Sequence, residues 1–527
     1  MRLFFMISDR ARVRLVQAGT ALVAAALIAG CGNAYRPVIT PVNPSGPAAQ
    51  ATSYAAVVSA PSPTAQGILT FIDYSGDTVM TVVPIGPSPR SFVMDEFAFN
   101  GYTVDSDGTL ANFGITTTLQ AKDVHFSTLA STANIVNLTA PQSGLWGADL
   151  TGNVVDYFIG APQTFKLAIP VAPTPVAIAG ASNSTGQREY VISQNFVDPT
   201  GLACNITPTA AGNGTGLATP IELATFTADS TIALGKCPVY AVKSSDQRRI
   251  FVLNRGDDTV SVINAVNNTL DQCTPFLNQS GQTVTCHPTL PLSTTAVSAI
   301  NNSSLCNNVT PVLPPCGGPP NGTTGMGTIA GPVYAEYNLT TNQLVVANYD
   351  GGTISVIDVG LDEYGNDGPT FGTTYTIPVG NYPASVTALY DGSRAYTANQ
   401  ADGTVTVVDL TSHTVAKTLT VVGHPRTVVS TQNSLFDKVY AASPDSPYVT
   451  ILEGTPSESD LVDTTVLVEG NVVDVRVSTQ NGVSGNSNVS SRTPGYGEPC
   501  NVPPTAGNPT PAPTGTQTAL QACRAIP

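Results

Sequence analysis

Histidine and tryptophan are nearly absent, with four of the first and one of the second in 527 residues. A centre built from many imidazoles cannot be assembled from so few, and neither can a docking motif that repeats tryptophan. Charge is scarce as well, at 11% of residues, and it leans acidic, with 36 Asp and Glu against 21 Lys and Arg. A net charge of -15 repels phosphate backbones, so no nucleic-acid partner is expected. No Cys-x-x-Cys occurs among the nine cysteines, which removes the commonest zinc spacing. No apolar run reaches the roughly 18 to 20 residues that a membrane-spanning helix needs. The surface must then be built largely from Thr, Ser, Asn and Gln, which suits an exported protein.

The chain starts with Arg2, Arg10, Arg12 and Arg14, continues through the apolar Leu15–Leu27, and reaches Ile28-Ala29-Gly30-Cys31. A basic start, a short apolar run and a small-residue cleavage site make 1–30 a secretory signal peptide. Its end resembles a bacterial lipobox. The resemblance implies a lipid on Cys31 as the membrane anchor, and Gly32 in place of Asp points to the outer membrane. Residues 31–53 carry Pro37, Pro41, Pro44 and Pro47 among small residues and read as a tether.

A repeat organises the rest. Arg248–Asn264 reads RRIFVLNRGDDTVSVIN, Gln343–Asp358 reads QLVVANYDGGTISVID, and Arg394–Asp409 reads RAYTANQADGTVTVVD. In each, an Asn of the first run stands five residues before a Thr of the second: Asn254 and Thr259, Asn348 and Thr353, Asn399 and Thr404. Val, Ile, Tyr and Thr fit a pleated surface, and the Asn, Asp and Gly between them tolerate tight turns, so each unit is an antiparallel hairpin. Copies of this size without helical periodicity must stack to bury their faces. The all-β solution is a propeller of four-stranded antiparallel blades.

These units resemble the YVTN β-propeller repeat, best over Arg394–Thr427, where Ala395-Tyr396-Thr397-Ala398-Asn399 and Thr404–Asp409 are followed by Thr418–Gly423 and Pro425. First-hairpin strands are expected at Tyr54–Ser59, Gly101–Asp105, Leu145–Asp149, Tyr190–Gln194, Ile250–Asn254, Leu344–Asn348, Ala395–Asn399 and Val439–Ser443. The reading is an eight-bladed propeller over 54–478, closed by a C-terminal strand near Asn471–Ser478 that completes the first blade and hides its edge. Seven blades, with Tyr54–Gly86 or Gly101–Gly114 absorbed elsewhere, is the alternative.

Two stretches, 196–219 and 268–327, read as insertions, and 479–527 as a tail rich in Pro and Gly. Without Cys31 the cysteines number eight, an even count that reads as disulfides in an exported chain. Pairing near neighbours gives Cys204 with Cys237, Cys273 with Cys286, Cys306 with Cys316, and Cys500 with Cys523, though sequence leaves the connectivity open.

Chemistry has few candidates. The histidines His125, His287, His413 and His424 are too few for the seven-histidine copper cluster of nitrous-oxide-reductase propellers, and sialidase boxes are absent. Asp105-Ser106-Asp107-Gly108 and Asp362–Asp367 resemble fragments of calcium loops, yet Asp and Gly are also ordinary turn residues. His424 stands before Pro425 where a side chain could face a central channel, and Trp146 reads as core between blades. No catalytic residue, metal or cofactor is assigned. The expectation is a monomeric, non-enzymatic, lipid-anchored binding or scaffold propeller that meets a protein or polysaccharide of the envelope. A hydrolase of the lactonase-like propeller type and a structural subunit of an envelope complex are the alternatives.

Overall fold

The computed structural model describes residues 53–62, 65–95, 98–141, 144–195, 215–292, 330–431, 437–454 and 460–478. The signal peptide, the tether, the tail and Cys31, Cys204, Cys306, Cys316, Cys500 and Cys523 lie outside them.

The described residues are nearly all β and form eight antiparallel blades of an eight-bladed β-propeller. Blade 1 combines 54–87 with Asn471–Val477, and blades 2 to 8 occupy 89–128, 135–170, 175–236, 238–291, 332–378, 383–420 and 427–467. The two weak N-terminal copies thus make separate blades. Closure is as the repeat predicts: Asn471–Val477 pairs antiparallel with Tyr54–Ala60, which pairs on its other side with Gln66–Asp73. Ser478 fixes the join, its hydroxyl accepting the Tyr54 N–H at 2.8 Å.

The apolar cores lie between blades. One joins Phe71 of blade 1 to Phe92 and Phe113 of blade 2. Another joins Val136 and Trp146 of blade 3 to Ile178 and Val191 of blade 4, and Val429 and Tyr440 of blade 8 meet Val57 and Val475 of blade 1. Because both faces of a blade are covered, central strands such as Arg249–Asn254 are buried at every residue, which is why they read as continuous apolar runs and not as alternation.

The repeated Asn has a mechanical role. Asn254 Nδ2 donates to Thr259 Oγ1 at 3.0 Å and Ser261 Oγ at 2.9 Å. Asn348 does the same with Thr353 and Ser355, and Asn399 with Thr404 and Thr406. The five-residue spacing is therefore a side-chain latch across the hairpin. Opposite each Asn the inner strand opens with proline, Pro238, Pro332 and Pro383, as Pro89 does opposite Asp105. Proline has no N–H to donate and suits a strand's first position. Glycine fills the remaining space: a Cβ on Gly235 or Gly380 would meet the Asn254 or Asn399 side chain at 2.5 Å.

Two faces follow from this topology. The turns between second and third strands, and the links from one blade to the next, lie on what we term the upper face. The turns within the first and the last hairpin of each blade lie on the lower face. The chain joins the ring at Ser53 and leaves it at Ser478 on the lower face, where Ser53 accepts the Tyr74 N–H and Tyr54 that of Ser478. Asn195 and Thr215, and likewise Leu292 and Ala330, stand on the upper face.

Within 268–327, Thr289–Pro291 pairs with Thr259–Ser261 as outer strand of blade 5, and the end of 196–219 belongs to Thr215–Glu222, the third strand of blade 4. Cys273 and Cys286 are bonded and enclose a small hairpin of Phe276–Leu277 with Thr283–Val284. Cys237 is disulfide-bonded as well.

Candidate functional site

The inner strands surround the axis, and their buried polar side chains are the first place to seek chemistry. On Asn471–Val477, Arg476 Nη2 lies 2.9 Å from Asp474 Oδ2, and Thr427 of blade 8 donates to Asp474 Oδ1 at 3.2 Å. Arg476 feels Tyr334 and Tyr240, which belong to blades 6 and 5 and whose rings lie 4.8 Å apart. Blade 5 faces blade 1 across the ring, so Arg476 reaches over its interior. Burial opposes the guanidinium charge, but Asp474 and the two tyrosines outweigh it and the pKa is raised.

The other inner-strand groups bind the adjacent blade. Glu336 Oε1 accepts the Thr387 hydroxyl at 3.2 Å and the Ala388 N–H at 3.0 Å. Ser385 Oγ accepts the Val428 N–H, and Thr387 Oγ1 that of Ser430. Asn137 Oδ1 accepts the Ile178 N–H at 3.0 Å. These groups stitch blade 3 to 4, 6 to 7 and 7 to 8.

His424 has the partner that sequence could not supply. Its Nδ1 lies 2.5 Å from Asp445 Oδ2, and its backbone N–H donates to Asp445 Oδ1. The hydrogen bond to Asp445 raises the imidazole pKa against a smaller opposing effect of burial. Burial also opposes the Asp445 charge, but the hydrogen bonds from His424 outweigh it and hold that pKa low. The same clamp recurs without histidine. Asp402 receives both the N–H and the side-chain amide of Asn381, and Asp257 the N–H of Lys236. His424, Asn381 and Lys236 each follow the glycine before a new blade. A His424→Asn chain should therefore keep its stability within about 0.5 kcal/mol, whereas His424→Ala should lose about 1 kcal/mol. Because the folded imidazole pKa is raised, the histidine's own share is full below about pH 6.5 and fades as pH climbs through the folded value. Denaturant melts at pH 6 and pH 8 check both points.

The remaining candidates have separate places. His125 sits 3.4 Å from Asp123, His413 stacks on Tyr375 at 3.6 Å, and His287 meets Asp367 at 2.8 Å. Trp146 is fully buried against Tyr157 and Phe226, in the core between blades 3 and 4. In the calcium-like stretch, Asp362 accepts the N–H groups of Tyr364 and Asn366, while Asp367 turns inward to Arg249. The two carboxylates thus serve different neighbours. Asp105 is buried in the latch position of blade 2, its carboxyl pushed up to about 8 by burial first and the Asp107 charge second. Asp149 holds that position in blade 3, accepting the N–H groups of Asn134, Thr151 and Gly152. Nearby Asp156 is pushed up to about 6 by burial and then by Asp149. Sequence reasoning passed over these acidic latches; in blade 2 the pair Gly86 and Pro89, spaced like Gly235 and Pro238 or Gly380 and Pro383, marks the pocket, whereas blade 3 opens with Ile135 opposite Asp149 and carries no such signal.

No protein-family model matches the chain, and no curated protein matches it. Solved structures resemble it in fold. Dihydro-heme d1 dehydrogenase NirN, in complex with DHE, aligns at TM-score 0.54 and 12% identity over 85% of this chain and 80% of that one. Apo AztD from Citrobacter koseri aligns at 0.48 and 11%, over 81% and 97%. The periplasmic gluconolactonase PpgL of Pseudomonas aeruginosa aligns at 0.45 and 11%, over 81% and 99%. The class is an eight-bladed β-propeller, and at such identities the likeness extends to fold alone.

Proposed function

We propose that the chain is a lipid-anchored β-propeller of the bacterial cell envelope, of YVTN-repeat type, that binds or scaffolds a protein or polysaccharide and catalyses no reaction. Cys31 carries the lipid, 31–53 is the tether, and the outer membrane is the address. The observation that supports this reading is how the channel uses its polar groups. Glu336, Asp474, Arg476, Ser385 and Thr387 are all engaged in buried contacts within or between blades. His424, the one titratable histidine with a carboxylate partner on the upper face, occupies a clamp position that Asn fills one blade earlier. Such a ring is a rigid platform. Its chain joins on the lower face, which leaves the upper face to a partner.

The test immobilises the mature chain with Cys31→Ser and exposes it to solubilised envelope. One protein or glycan is expected to be retained in fixed amount, and to be lost when residues 293–327 are removed, a change that leaves the outer strand of blade 5 in place. Hydrolysis of sugar lactones by the pure chain, abolished by Asp474→Asn, would overturn the reading in favour of a lactonase-like enzyme.

A further inference from the structure

The large apolar side chains that remain exposed are unevenly divided between the two faces. Phe99, in a lower-face turn of blade 2, is 66% exposed, and Leu277, on the disulfide-closed hairpin of blade 5, is 68% exposed. Phe165, Phe276, Tyr364 and Leu461 are exposed on the same side, at turns or strand beginnings of blades 3, 5, 6 and 8. The upper face has Val422, Tyr448 and Leu467. Leu277 is not a loose tip: the next residue, Asn278, donates to Asp362 at 3.3 Å, so the hairpin stands beside the turn that carries Tyr364. The lower face is also where Ser53 joins the ring, and hence where the stretch from Cys31 arrives.

We propose that the lower face is a membrane-contact surface: its rim of Phe, Tyr and Leu enters the headgroup region of the bilayer and holds the ring flat on it. The inference rests on the lipid-anchored reading for the identity of the occupant. Aromatic side chains suit the boundary between headgroup and acyl chain, and apolar area placed there adds to what one lipid supplies. Exposed Glu363, Asp391 and Asp463 share this face with exposed Lys122, Lys166 and Arg248, so charge does not draw the ring to anionic headgroups. Apolar area therefore carries the contact, and zwitterionic lipid suffices for it.

Sedimentation of the mature Cys31→Ser chain with phosphatidylcholine or phosphatidylethanolamine vesicles tests the face without the lipid anchor. Reversible partition is expected. Leu277→Ser with Phe99→Ser should reduce it at least threefold, Leu467→Ser with Tyr448→Ser should leave it unchanged, and anionic phosphatidylglycerol should not strengthen it. Circular dichroism identifies any variant that fails to fold, and such a variant is replaced by Tyr364→Ser, at an exposed turn. Absence of partition, or equal loss from the upper-face pair, overturns the proposal. Acylation of Cys31, read by mass spectrometry of the full chain from expressing bacteria, is scored separately. An acylated chain whose Cys31→Ser form ignores vesicles sinks this inference alone, and an unacylated chain that binds them sinks the anchor alone.

Discussion

An Asp105→Asn chain is expected to be more stable than the wild type at pH 8, and close to it at pH 4. The reason is positional. Asp105 lies opposite Pro89 in the register where Asn254 lies opposite Pro238, and Gly86 abuts it as Gly235 abuts Asn254. Blades 5, 6 and 7 put a neutral amide in that pocket, and blade 2 puts a carboxyl. Its folded pKa is pushed up to about 8, mainly by burial and then by Asp107, with Thr103 and Arg90 drawing it partly back. For an acid raised in this way, unfolding releases a proton as the pH rises. Stability therefore falls from about pH 4 and levels off above about pH 8. Every tenfold weakening of the acid on folding corresponds to about 1.4 kcal/mol, so the ionisable latch costs on the order of 5 kcal/mol at pH 8. Asn removes that cost without changing shape. Urea titrations of both chains at pH 4, 6 and 8 should show the gap opening with pH, and a constant gap, or none, refutes the account.

That latch also shows how far the sequence could be read. The spacing of Asn254 and Thr259 was visible as pattern, and the structure gives its cause in the bonds from Nδ2 to Thr and Ser. Blade number and closure were legible because β-branched runs recur and because the last run, Asn471–Val477, had no partner except the first. What stayed hidden falls into two kinds. One is a substitution that breaks the motif while keeping the pocket, as Asp105 and Asp149 do in blades 2 and 3. The other is contact between distant residues: nothing local ties Arg249 to Asp367, or Thr427 to Asp474. The use of the acidic run Asp362–Asp367 was hidden for the same reason. Its composition fits a calcium-loop fragment or a plain turn alike, and its last carboxylate is answered by an arginine more than a hundred residues earlier.

Removing that arginine is expected to have the largest cost. Arg249 is 2% exposed, and its Nη2 lies 3.0 Å from Asp367 Oδ1 and 3.2 Å from Asp271 Oδ1. Asp367 also receives the backbone N–H and ring Nδ1 of His287, which stacks on Phe371. Burial, followed by the Asp271 charge, already pushes Asp367 up to about 6, with His287 and Arg249 restraining the rise. Arg249→Met takes away the buried cation and leaves two carboxylates facing each other. Breaking a buried pair from one side costs about 3 to 5 kcal/mol. The loss should be smaller at pH 5 than at pH 8, because protonation relieves the pair and a raised carboxyl pKa withdraws stability as pH rises. Adding Asp271→Asn and Asp367→Asn should restore at least half of it. These residues hold 271–288 against the 361–371 turn of blade 6, so hydrogen exchange in the Arg249→Met chain should accelerate first around Phe276–Val284, inside the Cys273–Cys286 bond. The same cluster then positions Phe276 and Leu277 on the lower face. A loss below about 1 kcal/mol, or exchange that accelerates evenly across the blades, would mean that packing and the disulfide alone hold the hairpin.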